Sequence, residues 1–481
     1  MTIIKCSESA KIVVNMMFIL DSKDTRPLHI KLYSQIKDQI LSGKLASDAK
    51  LPSVRQLSAE LSISRNTVEY AYEQLCTEGF IYSKSRSGYY VSLLEKEFIP
   101  CASKNLLTAI KQSADTKRSQ SLDFHPAGLS VDSFPNKIWR MLMTESLKEH
   151  PEHFTLYSDP QGELELRSVI QQYLERFRGV ACHPEQIVIG YGLQDSLSVI
   201  AQLLRREHSV LAVEDPGHWI PRSVFQNYSY SINPIPVDSS GINLDDLMHT
   251  NSSVVYVTPS HQFPLGYVMP VEARLKLIHW ADAVGGVIIE DDYDSELRYH
   301  GKPIPALQGL HPKGNIIYMG TFSKVLSPAL RIGYMVLPYP FLSLYQKLFC
   351  NYAATASLIE QRTLAKFIGQ GYWERHLRKM RTIYKRKHDV MTHAIDRHFG
   401  SRVNILGQGA GLHVVLELMD HLFNENELLE RALEKNVRIF PISDTYSGSY
   451  PYPSRVMLGF GRLNADELEK GIELLSQAWQ I

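Results

Sequence analysis

The sequence predicts an α/β protein in two parts. A small helical unit closed by a hairpin comes first, then a mostly parallel sheet covered on both faces, with a smaller C-terminal subdomain. Three observations carry this. Between residues 26 and 92, apolar residues recur three times at helical spacing and then alternate. Beyond residue 122, continuous apolar runs alternate with long amphipathic stretches, the pattern of strands buried on both faces. The length, 481 residues, exceeds what one hydrophobic core usually holds.

The first helix reads "RPLHIKLYSQIKDQILSG", with Leu28, Leu32, Ile36 and Ile40 on one face, Pro27 near its start and Gly43 at its end. The second begins in "LPSVRQL", where Ser53 and Gln56 have capping-box spacing and Val54, Leu57 and Leu61 face inward. "SIS" turns into the third helix, "RNTVEYAYEQLCTEG", with Val68, Tyr72 and Leu75 inward and Gly79 closing it. "FIYSKSRSGYYVSLL" alternates as a hairpin. Three helices and a hairpin outline a winged helix-turn-helix over residues 21–92. Such a unit reads bases with the first turn of its recognition helix. Here Ser64 caps that turn, and Arg65, Asn66 and Thr67 are expected to face outward. Arg55 can anchor the DNA backbone, while Lys84 and Arg86 suit a wing lying on phosphate or in the minor groove. Residues 21–92 hold ten Lys/Arg against eight Asp/Glu, so charge alone does not separate DNA contact from a solvated surface.

Lys+Arg and Asp+Glu are equal at 51 each across the chain, so nucleic-acid contact must come from a local surface. The chain is 44% hydrophobic and 21% charged, ordinary for a folded protein in water. Cys6, Cys76, Cys101, Cys182 and Cys350 are scattered and form no CxxC pair. They read as reduced thiols in a cytoplasmic protein, with no metal site. "KIVVNMMFIL" (11–20) is too short to span a bilayer and lacks a small-residue cleavage site; it reads as an extension or strand, and Met16 or Met17 offers an alternative start. Residues 93–121 lose periodicity and read as a linker with a short helix at 104–112.

From residue 122 onward the expected strands are "QIVIG", "SVLAVED", "SVVYVTPS", "GVIIEDD" and "NIIYMG", each followed by a loop or helix. After about residue 345 come amphipathic helices, and "GLHVVLEL" and "RVMLGFG" read as strands of the smaller subdomain in 122–481.

"GTFSKVLSPALRIG" sets Lys324 and Arg331 among hydroxyl residues just past an apolar strand. A lysine in that setting suits pyridoxal phosphate, whose aldehyde forms a Schiff base with it while an acid pairs with the pyridine nitrogen. The acid belongs at the carboxyl end of an inner strand, and "GVIIEDDYDSE" supplies Asp291 there, with Tyr293 in reach of the ring hydroxyl oxygen. The phosphate belongs at a helix N-terminus, which "GYGLQDS" supplies through Gly192, Leu193 and Gln194. Thr321, Ser323 and Arg331 add hydroxyls and a fixed positive charge.

"LPSVRQLSAELSISRNTVEYAYEQLCTEGFI…SGYYV" resembles the N-terminal domain of GntR-family transcription regulators. Residues 122–481 resemble class I, fold type I aminotransferases. That resemblance implies that Tyr157, in "YSDPQGELELR", reaches the neighbouring subunit's cofactor phosphate, that His218, in "EDPGHWIPR", stacks on the pyridine ring, and that Arg455, in "SRVMLGFGRL", grips a substrate carboxylate. Where aminotransferases read Asn-Pro-Thr-Gly, this chain has Phe263-Pro264-Leu265-Gly266. Both halves together resemble the MocR (GabR-like) regulators. The resemblance implies a homodimer, with head-to-tail swapping permitted by the linker, that binds operator DNA and senses a small amine, an amino acid or pyridoxal phosphate itself. A working aminotransferase with an appended DNA-binding domain is the competing expectation, and a DNA-binding protein with a relic pocket is a third.

Overall fold

The computed structural model describes residues 26–93, 122–299, 304–419, 423–448, 450 and 454–480. The N-terminal extension, most of the 93–121 linker with its expected helix, Cys6 and Cys101 lie outside them. The chain divides into two compact units, residues 1–115 and 116–481. No described helix is long and apolar enough to cross a membrane.

In the first unit, α1 (Leu28–Leu41), α2 (Val54–Leu61) and α3 (Arg65–Thr77) precede the antiparallel hairpin of β1 (Ile81–Lys84) and β2 (Gly88–Val91). Leu32, Ile36, Ile40, Leu57, Val68, Tyr72, Leu75, Ile81 and Val91 form one core. Leu28, expected on the inner face, is 43% exposed, because the first turn of α1 runs past the edge of that core. The expected capping box is half formed. Ser53 Oγ accepts the Gln56 N–H at 3.2 Å, but the Gln56 amide turns to Glu60 at 2.9 Å instead of back to Ser53. Tyr72 closes the unit by donating to the Pro52 carbonyl at 2.9 Å.

The second unit is built on an eight-stranded sheet. Its strands are β3 (Ile187–Gly190), β4 (Val210–Asp215), β5 (Ser231–Asp238), β6 (Gly241–Ile242), β7 (Val254–Val257), β8 (Val287–Asp292), β9 (Ile316–Thr321) and β10 (Gly333–Val336), in the order β3-β10-β9-β8-β7-β4-β5-β6. The five from β9 to β5 run parallel, while β10 is antiparallel to both neighbours and β6 is antiparallel to β5. Strands β3, β7 and β10 are buried at every residue, as a sheet covered on both faces requires. Two separate apolar clusters flank the sheet, one holding Leu197, Phe225 and Tyr345, the other Leu277, Ile278 and Trp280.

The smaller subdomain pairs β11 (Val403–Leu406), β12 (His413–Leu418), β13 (Phe440–Pro441) and β14 (Arg455–Gly459) in the antiparallel order β11-β12-β14-β13. A long helix, Tyr372–Phe399, packs Met380, Tyr384, Met391 and Ile395 into its core.

Candidate cofactor and DNA sites

The ends of β8 and β9 and the turn after β3 converge on a cavity of about 530 Å³. Gly192, Leu193, His218, Asp291, Tyr293, Thr321, Ser323, Lys324 and Arg331 all line it.

The turn after β3 leads into α4 (Leu193–Leu204), whose first N–H groups have no partner within the helix. Gly192 caps it at φ +82°, and a Cβ there would lie 2.6 Å from Arg331 Nη2. The bare backbone is what lets the guanidinium approach, so cation and helix N-terminus face one place. Arg331 holds this position in the left-handed region (φ +54°), bonding the Tyr191 carbonyl at 3.3 Å with its guanidinium over the Tyr191 ring. Thr321 Oγ accepts the Ser323 N–H at 3.2 Å and its hydroxyl donates to Ser323 Oγ at 3.0 Å, setting two hydroxyls at the end of β9. Gln194 is exposed and brings its backbone N–H to the first turn of α4 without lining the cavity.

Asp291 is buried near the end of β8 and accepts the Tyr256 hydroxyl. Burial pushes its carboxyl up to about 7, with Tyr256 opposing that rise and Asp292 and Asp294 adding to it. A cationic pyridine nitrogen placed against it would restore the ionised form. Burial lowers the Lys324 ammonium, against the pull of Asp294 and Asp291, which favours the neutral amine a carbonyl condensation needs. His218 is pushed down to about 4 by burial first and by Lys324 and Arg222 next, so its ring is uncharged. Its Nδ1 accepts the Ile220 N–H at 3.2 Å, and Trp219 stacks on it at 4.5 Å. Both rings line the cavity, giving a flat apolar wall. This donor set fits pyridoxal phosphate: a phosphate cradle, a buried acid, an amine and an aromatic wall in one chamber.

The remaining expected residues lie outside the cavity lining of a single chain. Tyr157 is 93% exposed. Arg455 sits opposite Glu417 across β14 and β12 and is bound to it through Nη2 at 2.6 Å and Nε at 2.7 Å. The next residue on its face, Met457, reaches the cavity. Sequence reasoning missed Tyr256, Trp219, His125 and Ser196, which also line it. The signal for Tyr256 was a tyrosine in an otherwise apolar strand, paired across to Ile289 two residues before the acid.

Asp291 predicts a pH effect. Its folded value lies above the unfolded 3.8, so its contribution to apoprotein stability is present at low pH and lost as pH rises toward and through about 7. Glu214, Glu290 and Glu296 are raised in the same way and form a shared background. Apo Asp291→Asn is therefore expected to melt above the apo wild type at pH 8. The gap should close toward pH 5, at up to about 1.4 kcal/mol per pH unit. Melting curves that stay parallel across that range would contradict the buried-acid assignment.

In the first unit, Arg55, Ser64, Arg65 and Asn66 are exposed, and Thr67 is half-buried. Ser64 Oγ accepts the Thr67 N–H at 3.2 Å and bonds its hydroxyl at 2.8 Å, a cap that spends Thr67 on the helix. Lys84 ends β1 and Arg86 sits in the hairpin turn, both exposed, with Lys84 over the Tyr90 ring at 4.5 Å. Arg86 takes φ +58°.

Comparison with known proteins places both halves. Residues 133–475 match aminotransferase class I and II, and residues 29–91 match bacterial regulatory proteins, gntR family. The chain is 40% identical over 455 residues to the uncharacterized HTH-type transcriptional regulator YdeL of Bacillus subtilis (strain 168), covering 95% of this chain and 97% of that one. It is 33% identical over 475 residues to the probable rhizopine catabolism regulatory protein MocR of Rhizobium meliloti, covering 96% of each. Among solved structures, LysN, the alpha-aminoadipate aminotransferase of Thermus thermophilus complexed with N-(5'-phosphopyridoxyl)-L-leucine, superposes with a TM-score of 0.67 at 26% identity, over 76% of this chain and 95% of that one.

Proposed function

Because the chain belongs to the aminotransferase class I and II family and carries a gntR-family regulatory domain, as its MocR-type relatives do, it is a pyridoxal-phosphate-dependent, DNA-binding transcriptional regulator, and we propose that its larger unit senses a small amine. The observation that carries this reading is the cavity, where Lys324, Asp291 and the Arg331 cradle meet. Pyridoxal phosphate, when bound, supplies a carbonyl carbon that exchanges one amine for another. Lys324 would hold the cofactor at rest, Asp291 would face the pyridine nitrogen, and Gly192, Leu193, Gln194, Thr321, Ser323 and Arg331 would hold the phosphate.

An effector amine would have to displace Lys324 from its place in the cavity. A carboxylate-bearing effector must also compete with Glu417 for Arg455, the cation we assign to that role. DNA affinity then changes because the two occupancies favour different states of the protein, since a ligand bound equally by both shifts nothing. Arg65 and Asn66 read bases from α3, Ser64 and Thr67 shape its first turn, and Arg55, Lys84 and Arg86 bind phosphates. We assign this activity to the cytoplasm, a reading supported by the gntR-type regulatory domain.

We assign the larger unit to a homodimer in which Tyr157 completes the neighbouring subunit's phosphate site; head-to-tail exchange through the 93–121 segment belongs to the same proposal. A tyrosine 93% exposed in the single chain, beside exposed Leu156 and Phe154, supports it. Light scattering of the full chain is expected to give twice the 54.8 kDa chain mass. Tyr157→Phe should keep that mass and weaken cofactor binding about tenfold, as loss of a bond to a charged group does; a monomeric wild type would remove the assignment.

A working aminotransferase is the second reading, supported by the same Lys324 and Asp291. Conversion of an amino donor and a 2-oxo acid over many turnovers would favour it; a complex that forms and stalls favours the sensor.

A further inference from the structure

Beside the cofactor cavity lies a buried pair with no role so far. His261 Nδ1 is 2.8 Å from Asp294 Oδ2, both side chains 3% exposed, and 3.1 Å from the Tyr293 hydroxyl oxygen. Tyr293 lines the cavity; His261 and Asp294 do not. The ring stands in a tight slot, because a Cβ at Gly411 would come within 2.6 Å of it.

The carboxylate is the stronger acceptor, so the Nδ1 proton points to Asp294 and is shared with the phenol oxygen. His261 Nε2 is buried without a hydrogen-bond partner among the described residues. An unpartnered lone pair there costs less than an unpartnered N–H, which favours the Nδ1–H tautomer. Asp294 also lies within reach of the phenol, but with His261 Nδ1–H held on that carboxylate at 2.8 Å and the phenol oxygen already accepting, an acceptor in the cavity competes for the Tyr293 hydrogen. From the 263–266 loop, Phe263 and Leu265 pack in one cluster with Tyr293, and neither side chain can donate.

We propose that Asp294 and His261 are positioning residues that hold the Tyr293 phenol as a hydrogen-bond donor to the ring oxygen of bound pyridoxal phosphate, and so set the proton affinity of the Lys324 nitrogen joined to it. The inference rests on the cofactor reading above. The sign follows from charge. A donor on an anionic ring oxygen stabilises it most when the adjacent nitrogen has lost its proton, so the donor lowers that nitrogen's affinity for a proton. Removing the donor raises it.

The groups facing this corner are Tyr293, Asp294, Asp291, Lys324, Tyr299 and His413. His413 is 6.1 Å from His261 ring to ring, bonds the Pro264 carbonyl at 3.0 Å and is pushed down to about 4 by burial, so it stays neutral above pH 5. Asp291 is held ionised by the bound pyridine nitrogen, and burial raises Tyr293 and Tyr299 out of range.

The test is a pH titration of the visible absorbance band of the full chain loaded with pyridoxal phosphate, in wild type, Tyr293→Phe, His261→Leu and His261→Asn. Tyr293→Phe and His261→Leu should each raise the midpoint, by roughly one pH unit. His261→Asn, whose amide nitrogen can take the place of Nδ1, should restore it. A structural role alone would lower the band's amplitude and leave the midpoint where it is. An unmoved midpoint in loaded His261→Leu overturns the proposal. Should that variant not fold, His261→Phe takes its place: it keeps a flat ring without a donor and should raise the midpoint likewise, and no rise overturns the proposal equally. Absence of any band in the wild type is a different failure, that of the cofactor reading itself.

Discussion

Replacing Lys324 with alanine is expected to abolish the covalent cofactor band while leaving folding, dimer mass and basal DNA affinity intact. The lysine lines the cavity, and burial works against its charge, so its removal relieves a desolvation cost. The phosphate cradle is untouched, so pyridoxal phosphate should still bind, reversibly and more weakly. Any response of DNA binding to an amine should no longer involve competition with Lys324, because a free aldehyde condenses with a primary amine directly and releases water. DNA affinity without effector should stay within about twofold, well under the 1.4 kcal/mol that makes a tenfold change. Loss of all DNA affinity by a folded, dimeric Lys324→Ala protein would show that sensing and reading are not separable.

Arg65→Ala should have the largest effect on the other side. Arg65 opens α3, is exposed, and lies within the turn that Ser64 caps through Thr67. A guanidinium there can reach a base edge in the major groove, an interaction worth about 1–3 kcal/mol. Operator affinity should fall between fivefold and two hundredfold, with discrimination relaxed at one base position and the cofactor spectrum unchanged. Lys84→Ala should differ in kind, weakening all sequences alike and lowering the salt slope by about one. Unchanged affinity in Arg65→Ala would remove that residue from the reading surface.

The sequence carried the pieces that periodicity or chemistry marks. The three N-terminal helices and the hairpin were legible because an isolated small core demands clean patterning, and Leu32, Ile36, Val68 and Tyr72 supply it. The five named apolar runs became strands because both faces of that sheet are covered. Strand β5 was not visible: "SINPIPVD" carries two prolines and an exposure pattern that a position near the sheet edge tolerates. Strand β10, antiparallel to both its neighbours, begins at the last residue of the stretch read as a cofactor loop.

Lys324, Asp291 and Arg331 could be found because each is an unusual residue for its place. The parts of Tyr256 and His261 depend on contacts across 35 and 33 residues of chain, and only the lone tyrosine in an apolar strand marked the first. Arg455 shows the converse. Residue type and motif point to a carboxylate, and the cross-strand partner that holds it, Glu417, lies 38 residues away in sequence.

The most direct test is the visible absorbance of the purified full chain with pyridoxal phosphate, before and after a panel of primary amines, with and without carboxylates. The account predicts a band that depends on Lys324, that one amine shifts, and that then holds steady when a 2-oxo acid is added. No band at saturating cofactor, or a shifted band that turns over continuously with the oxo acid, would contradict it.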